Sequence, residues 1–315
     1  MTTEYNLIST DAQRALEEFS QEFAASLAQP GVAAWAKDLG LSKTSRALKT
    51  TYPIPVGAAG YKPFEGDVKY RSLFEKSLEL KPKTWQDGVS ELASVIEAPD
   101  FTGWPGAPAA MAAAALSLPN EIVAGLLEDN AVQAFDSKAY FAADHPLNVF
   151  DSSAGTFDND ITGAGTDSTS ANLGLAMQAF RELKAPNGKP LGLRMTHVLV
   201  PAALEQTWKA ILERDLILQA VGSAFAAVNN IYKGAVTLVV SDELTDDSKW
   251  YALALNKPGM YPWIVQDEGA PEEILSDKTS SLYKTTLKVG LAYVLRGNGA
   301  LALPHCVQRW AGTAP

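Results

Sequence analysis

A chain of 315 residues, 47% hydrophobic and 20% charged, can bury one large core or two ordinary ones and is too apolar to remain disordered. Its formal charge of −10 and pI near 4.9 weigh against a sequence-independent grip on nucleic acid, which rests on lysine and arginine neutralising phosphates. The single cysteine, Cys306, excludes an internal disulfide and a cysteine-built zinc site.

The N-terminus, Met-Thr-Thr-Glu-Tyr-Asn, has neither the basic head nor the apolar stretch of a secretion signal, and no run of about 18 apolar residues is evident, so a cytosolic chain is expected. Asp11 to Gly40 reads as helix, capped by Thr10 or Asp11, with Ala12, Leu16, Phe19, Phe23 and Leu27 on one face. Pro30-Gly31 interrupts it before a second turn or two over Val32–Asp38. From Ser45 to Thr84, prolines and glycines break up short alternating runs. Asp67–Leu73 and Leu78–Lys81 are strand candidates that need a covering partner, because an isolated hairpin is marginal in water.

Trp85–Ile96 places Val89, Leu92, Ala93 and Ile96 on one side of a short helix. Ala109–Asn130 is rich in alanine and leucine and predicts a long helix, kinked or split at Pro119-Asn120. Val149–Ser170 reads as a polar loop, and Ser170–Lys184 as a helix presenting Leu173, Met177, Phe180 and Leu183. Pro-Asn-Gly-Lys-Pro at 186–190 then signals a turn before the β-branched run Met195–Val200. Pro201 opens a helix whose Leu204, Trp208, Ile211 and Leu212 supply an apolar face. The remaining strand candidates are Ala235–Val240, Trp250–Leu255, Trp263–Val265, Tyr283–Val289 and Ala292–Leu295.

Chemistry is sparse. Of three histidines, His145 follows Asp144 and precedes Pro146, as an oriented base or a local turn contact; His197 lies in a strand pattern; His305 sits beside Cys306, which reads as a small buried hydrophobe. Asp151, Asp158, Asp160 and Asp167 invite a calcium reading, but their spacing departs from the EF-hand loop and no glutamate closes it. No serine-hydrolase elbow, phosphate loop, dinucleotide fingerprint or paired-histidine metal motif is present. No catalytic, cofactor-binding or metal residue is assigned.

Several stretches in sequence order carry a resemblance. They are Ala134-Phe135-Asp136 through Phe141-Ala142-Ala143-Asp144-His145-Pro146; Pro190-Leu-Gly-Leu-Arg194 with the following Leu199-Val-Pro-Ala-Ala-Leu-Glu205; Lys233 to Leu244; Trp250-Tyr251; and Pro262 to Gln266. This order resembles the Mu-like major head subunits of phages and prophages over roughly the C-terminal two-thirds, and more loosely before that.

The resemblance implies an α+β fold of the Hong Kong 97 coat type. Its parts would be an N-terminal arm with an amphipathic helix (1–50), an extended loop and the start of a peripheral domain (51–100), a spine helix with more of that domain (101–169), an axial domain (170–245) and return strands (246–315). It implies a major capsid protein that assembles with itself into hexamers and pentamers of an icosahedral virion shell. That shell would be built in the host cytoplasm and would enclose double-stranded DNA without sequence-specific binding. Portal, scaffold and decoration proteins are the implied partners, with no membrane. An acidic lining would let DNA slide during packaging. The Hong Kong 97 coat cross-links lysine to asparagine; Lys62, Lys69, Lys76, Lys81 and Lys83 are candidates by location only. Two alternatives remain at this level: a cellular nanocompartment shell of the same fold, and a soluble α+β enzyme using Asp144 and His145.

Overall fold

A computed structural model describes residues 10–29, 34–55, 75–98, 100–147, 155–163, 165, 167–185, 188–221 and 224–312. The chain begins with α1 (Thr10–Leu27), α2 (Trp35–Leu39), β1 (Leu41–Thr44), β2 (Thr50–Pro55), β3 (Glu75–Leu80), β4 (Lys83–Leu92), α3 (Ala93–Ile96) and α4 (Ala107–Glu128). Then come β5 (His145–Pro146), β6 (Thr156–Phe157), β7 (Asp160–Thr162), α5 (Ser170–Glu182), β8 (His197–Pro201), α6 (Glu205–Glu213), β9 (Leu216–Val221), β10 (Ala224–Asn229) and β11 (Thr237–Ser241). The last elements are β12 (Lys249–Leu253), β13 (Trp263–Asp267), β14 (Glu272–Ser276), α7 (Ser281–Thr286), β15 (Lys288–Leu301) and β16 (Val307–Ala311).

Two sheets organise these elements. In the first, β15 is the long central strand: β4 runs antiparallel along one side, β13 and β14 share the other, and β1 adds to β13 in parallel. The second has the order β11-β8-β12-β16-β7, with β8 parallel to β11 and antiparallel to β12. Its inner strands β8 and β12 are almost wholly buried after their first residues because both faces are covered. Val198, Val200, Trp250, Ala252 and Trp310 face α5 and α6, whereas Leu199, Tyr251, Leu253 and Val307 join Val123, Ala124 and Leu127 of α4.

The face of α1 expected from the sequence docks on its own chain. Ala12, Leu16, Phe19 and Phe23 bury against Ala93, Ile96, Met111, Ala112 and Tyr293, and Phe23 stacks on Tyr293 at 3.7 Å. The two-helix reading before Gly40 holds, with α2 starting at Trp35 rather than Val32. Gly40 permits close approach, since a Cβ there would lie 2.3 Å from the Trp263 ring, which is itself pinned by its Nε1–H donating to the Ala36 carbonyl at 2.7 Å.

Three expectations are corrected. Trp85–Ile96 is strand β4 followed by the four-residue α3, because ten residues of β4 pair with β15 and outweigh the local helical spacing. Tyr283–Val289 is split: α7 is capped by Ser280, whose hydroxyl accepts from the Tyr283 N–H at 3.2 Å, and ends at Leu287 in the left-handed region at φ 59°. Of the two readings at Pro119-Asn120, kinked or split, the split is removed: α4 runs from Ala107 to Glu128 with Pro119 inside it. The next residue fixes this stretch: Asn120 accepts from the Ala36 N–H at 3.1 Å and donates to Glu243 at 3.2 Å. By length and composition α4 could cross a bilayer, but here Met111, Ala112, Val123, Ala124 and Leu127 serve the chain's own cores.

Candidate assembly surfaces and the polar joint between the sheets

Besides the short β5–β6 pairing, two longer ribbons stand apart from the two sheets. β2 pairs with β3 from Thr50↔Leu80 to Pro55↔Glu75, and Pro53 and Pro55 suit a strand with an unpaired edge. Its base is tied down: Tyr52 donates to Gln266 at 2.9 Å, Lys49 pairs with Glu79 at 2.6 Å, and Leu80 is buried. Burial raises the Tyr52 pKa. The expected Asp67–Leu73 strand lies outside the described residues, as do Lys62 and Lys69. Lys76 falls in β3, and Lys81 and Lys83 flank the β3–β4 turn, where the Lys81 carbonyl accepts from Asn298 at 2.9 Å.

The second ribbon, β9 with β10, pairs from Leu216↔Asn229 to Val221↔Ala224. Sequence reasoning passed over it, although two apolar runs around Gly222-Ser223 are a hairpin signal. At its base Leu216 and Ile231 are exposed, the latter by 79%. Asn230 anchors that base by donating to the Ile211 carbonyl at 2.6 Å and the Arg214 carbonyl at 2.9 Å.

The Asp144/His145 pair does not exist as a unit. Asp144 is exposed and bonded to Lys138 at 2.5 Å. His145 is buried, and its Nδ1 lies 2.7 Å from Asp136 while its Nε2 lies 3.0 Å from the Tyr140 carbonyl. Burial alone would raise the Asp136 pKa, but its hydrogen bond and charge interaction with His145, together with backbone donors, hold it below the ordinary value.

These groups brace residues 302–306, which carry the chain from β15 in one sheet to β16 in the other. The Tyr140 hydroxyl donates to the Pro262 carbonyl at 2.7 Å and lies 3.2 Å from that of Leu303. Asn159 donates to the Tyr140 carbonyl at 2.9 Å and accepts from the Ala142 N–H at 2.9 Å. The Phe157 ring lies between His145, at 5.2 Å, and His305, at 4.2 Å.

The candidate calcium ligands do not converge. Asp158 accepts from the Asp160 N–H at 2.7 Å. Asp160 pairs with Arg309, the Asp167 carboxylate lies beside Gly312, and Asp151 lies outside the described residues. Among the described residues no group of three or more His, Cys, Asp or Glu side chains could hold a metal ion. His197 sits on β8 with its Nδ1 2.9 Å from Thr196, and burial lowers its pKa. Cys306 is buried, its thiol pushed up to about 12 by desolvation, as expected of an inert core cysteine.

Arg309 is a buried cation in the second sheet. Its Nε and Nη2 each donate to Asp160 at 2.8 Å, Nη1 donates to Asn130, and the guanidinium lies 4.6 Å from the Phe141 ring centroid. Lysine cannot reproduce the fork, so Arg309→Lys is expected to cost about 1–3 kcal/mol. Urea unfolding checks this.

Comparison with known proteins places this architecture. A model described as phage capsid protein matches residues 93–309, more than two thirds of the chain, and the chain therefore belongs to the phage capsid protein family. The model for the Mu-like prophage major head subunit gpT also matches, over residues 13–168. The major capsid protein of Escherichia phage Mu is 40% identical over 78 residues, 25% of this chain and 24% of that one. The match thus spans about a quarter of the curated relative.

The Mu-like model stops short of the Pro190–Glu205 stretch and includes the Ala134–Pro146 segment. The bacteriophage JBD30 capsid superposes with a TM-score of 0.54 at 15% identity, covering 76% of this chain and 100% of that one. Its procapsid gives 0.53 at 14%, covering 98% and 77%, and Microbacterium phage Oxtober96 gives 0.54 at 13%, covering 90% and 93%. These similarities show the fold, the α+β coat fold of the Hong Kong 97 type.

Proposed function

We propose that the chain is the repeating subunit of a Mu-like icosahedral head, packing with itself into hexamers and pentamers around double-stranded DNA. The observation that carries this reading is the pair of two-stranded ribbons. A lone ribbon is marginal in water, and among the described residues neither β2–β3 nor β9–β10 is joined to a larger sheet. Copies of the chain supply the missing cover, through contacts that differ on the two sides of each subunit and close by rotation.

In this reading residues 1–50 and 51–100 hold the arm and extended loop, 101–169 the spine helix α4 and peripheral domain, 170–245 the axial domain, and 246–315 the return strands. Portal, scaffold and decoration proteins are its partners, the host cytoplasm its place of assembly and the virion its destination. The role is structural rather than catalytic, a reading supported by the enclosure of His145 between Asp136 and the Tyr140 carbonyl.

Light scattering on a sizing column followed by negative-stain microscopy tests this. Shells, tubes or five- and six-fold rings are expected from the full chain with its scaffold. Replacing residues 53–77 by an Asn-Gly turn is expected to abolish shells while leaving the melting temperature within a few degrees. A uniform monomer or dimer of the full chain across salt, protein concentration and added scaffold would overturn it.

A further inference from the structure

The connection between the two sheets contains one polar atom that the fold leaves unsatisfied. His305 occupies the turn Pro304–Cys306 between β15 and β16, and its Nδ1 is buried with no hydrogen-bond partner among the described residues. Its ring is held between Phe157 on β6, at 4.2 Å, and Phe135, at 6.3 Å. The residue is only half-buried, so the cost falls on this one atom: a neutral imidazole can leave Nδ1 as an unprotonated acceptor, whereas an imidazolium must bury an Nδ1–H donor with neither water nor a counterion in contact.

The groups around it do not supply one. Asp136 is already bonded to His145 from β5. Asp158, from the link between β6 and β7, is raised by its own burial, Tyr140 and Cys306 are pushed up by burial and stay neutral through acid pH, and the Lys257 amine donates to the Leu191 carbonyl at 2.8 Å. A cation–π contact with Phe157 returns part of the cost, but water returns more once the turn is free.

We propose that His305 makes the link between the two sheets an acid-sensitive joint, which loosens the 302–306 turn from the Phe157–His145–Tyr140 brace when its imidazole gains a proton. Desolvation, followed by the nearby His145, lowers the His305 pKa to about 4, from an ordinary 6.5. The sign follows from linkage: the loosened state binds the proton more tightly, so closure is favoured fully above pH 6.5 and loses its advantage as pH falls toward 4. At pH 5.5 the loosened state gains about tenfold over its population at neutral pH. The use of such a joint rests on the proposed shell role, where the angle between the sheets sets how a subunit fits its neighbours; the joint itself is a property of the single chain.

Amide hydrogen exchange read by mass spectrometry on the unassembled full chain, at pH 7.5 and 5.5 and corrected for intrinsic exchange, tests it separately from assembly. Protection of peptides covering 140–147, 155–160 and 302–308 is expected to fall about tenfold at the lower pH, with α1 and α4 unchanged. His305→Gln and His305→Phe, which cannot titrate, are expected to remove that pH dependence; either one that folds suffices. A loss spread evenly over the chain, or the same local loss in the variants, would overturn the joint whether or not the chain forms shells.

Discussion

His145→Ala is expected to destabilise the subunit by about 3–5 kcal/mol, the range for removing one partner of a buried ion-paired site. The cost comes from what stays behind. Asp136 and His145 have side-chain exposures of 2% and 1%, so the variant leaves a buried carboxylate without its imidazole partner, with the Lys138 N–H at 3.1 Å as a remaining donor. It also removes the ring that stacks on Phe157 and the contact with the Tyr140 carbonyl.

Urea unfolding at pH 7 reads the loss, and a cycle with Asp136 separates its parts. Asp136→Leu combined with His145→Leu removes both polar groups and should recover most of the stability. If His145→Ala cost under 1 kcal/mol, the pair would have to relax toward solvent. The Asp136 pKa is depressed in the fold, so its share is present above its ordinary pKa of 3.8 and is lost as pH falls through the lowered value. The two acid effects therefore separate: His305 acts between pH 6.5 and 4, Asp136 below that.

This pair also shows where the sequence was and was not legible. Asp136 and His145 are nine residues apart across an irregular segment, and no periodicity links them; Asp144, next to His145 in the chain, points instead to Lys138. Elements whose burial is set by local pattern were readable: α1, α5, the β8 run and the β12 run all lie within a few residues of their expected places.

Elements decided by distant partners were not. At 85–96 the helical spacing of Val89, Leu92, Ala93 and Ile96 is real, but Gly88 fits directly against β15, where a Cβ would come within 2.7 Å of Ala292. A glycine inside a strand pattern marks such a close approach, and it was the available signal. At 283–289, read as a strand, Ser280 three residues before Tyr283 was the helix cap that decided the first part. The ribbons' alternating and apolar runs were visible in the sequence, but the cover proposed for them, a second copy of the chain, has no local pattern to mark it.

The other large effect is expected in the second sheet. Trp250 is fully buried on β12, 4.7 Å from Trp208 on α6 and 5.0 Å from Trp310 on β16, its register partner. Trp250→Ala removes the piece that joins the helix layer to the sheet, and the two flanking indoles are too rigid to fill the space, so a loss of about 3–5 kcal/mol is expected. Trp250→Phe keeps an aromatic face and should cost less. Urea unfolding of both variants supplies the values, and the yield of shells at matched concentration supplies the consequence, since a loss of this size takes a large part of the stability of an ordinary domain. If Trp250→Ala lost less than 1 kcal/mol, α6 would have to collapse onto the sheet. The five-stranded layer could not then be the rigid body against which the joint at His305 turns.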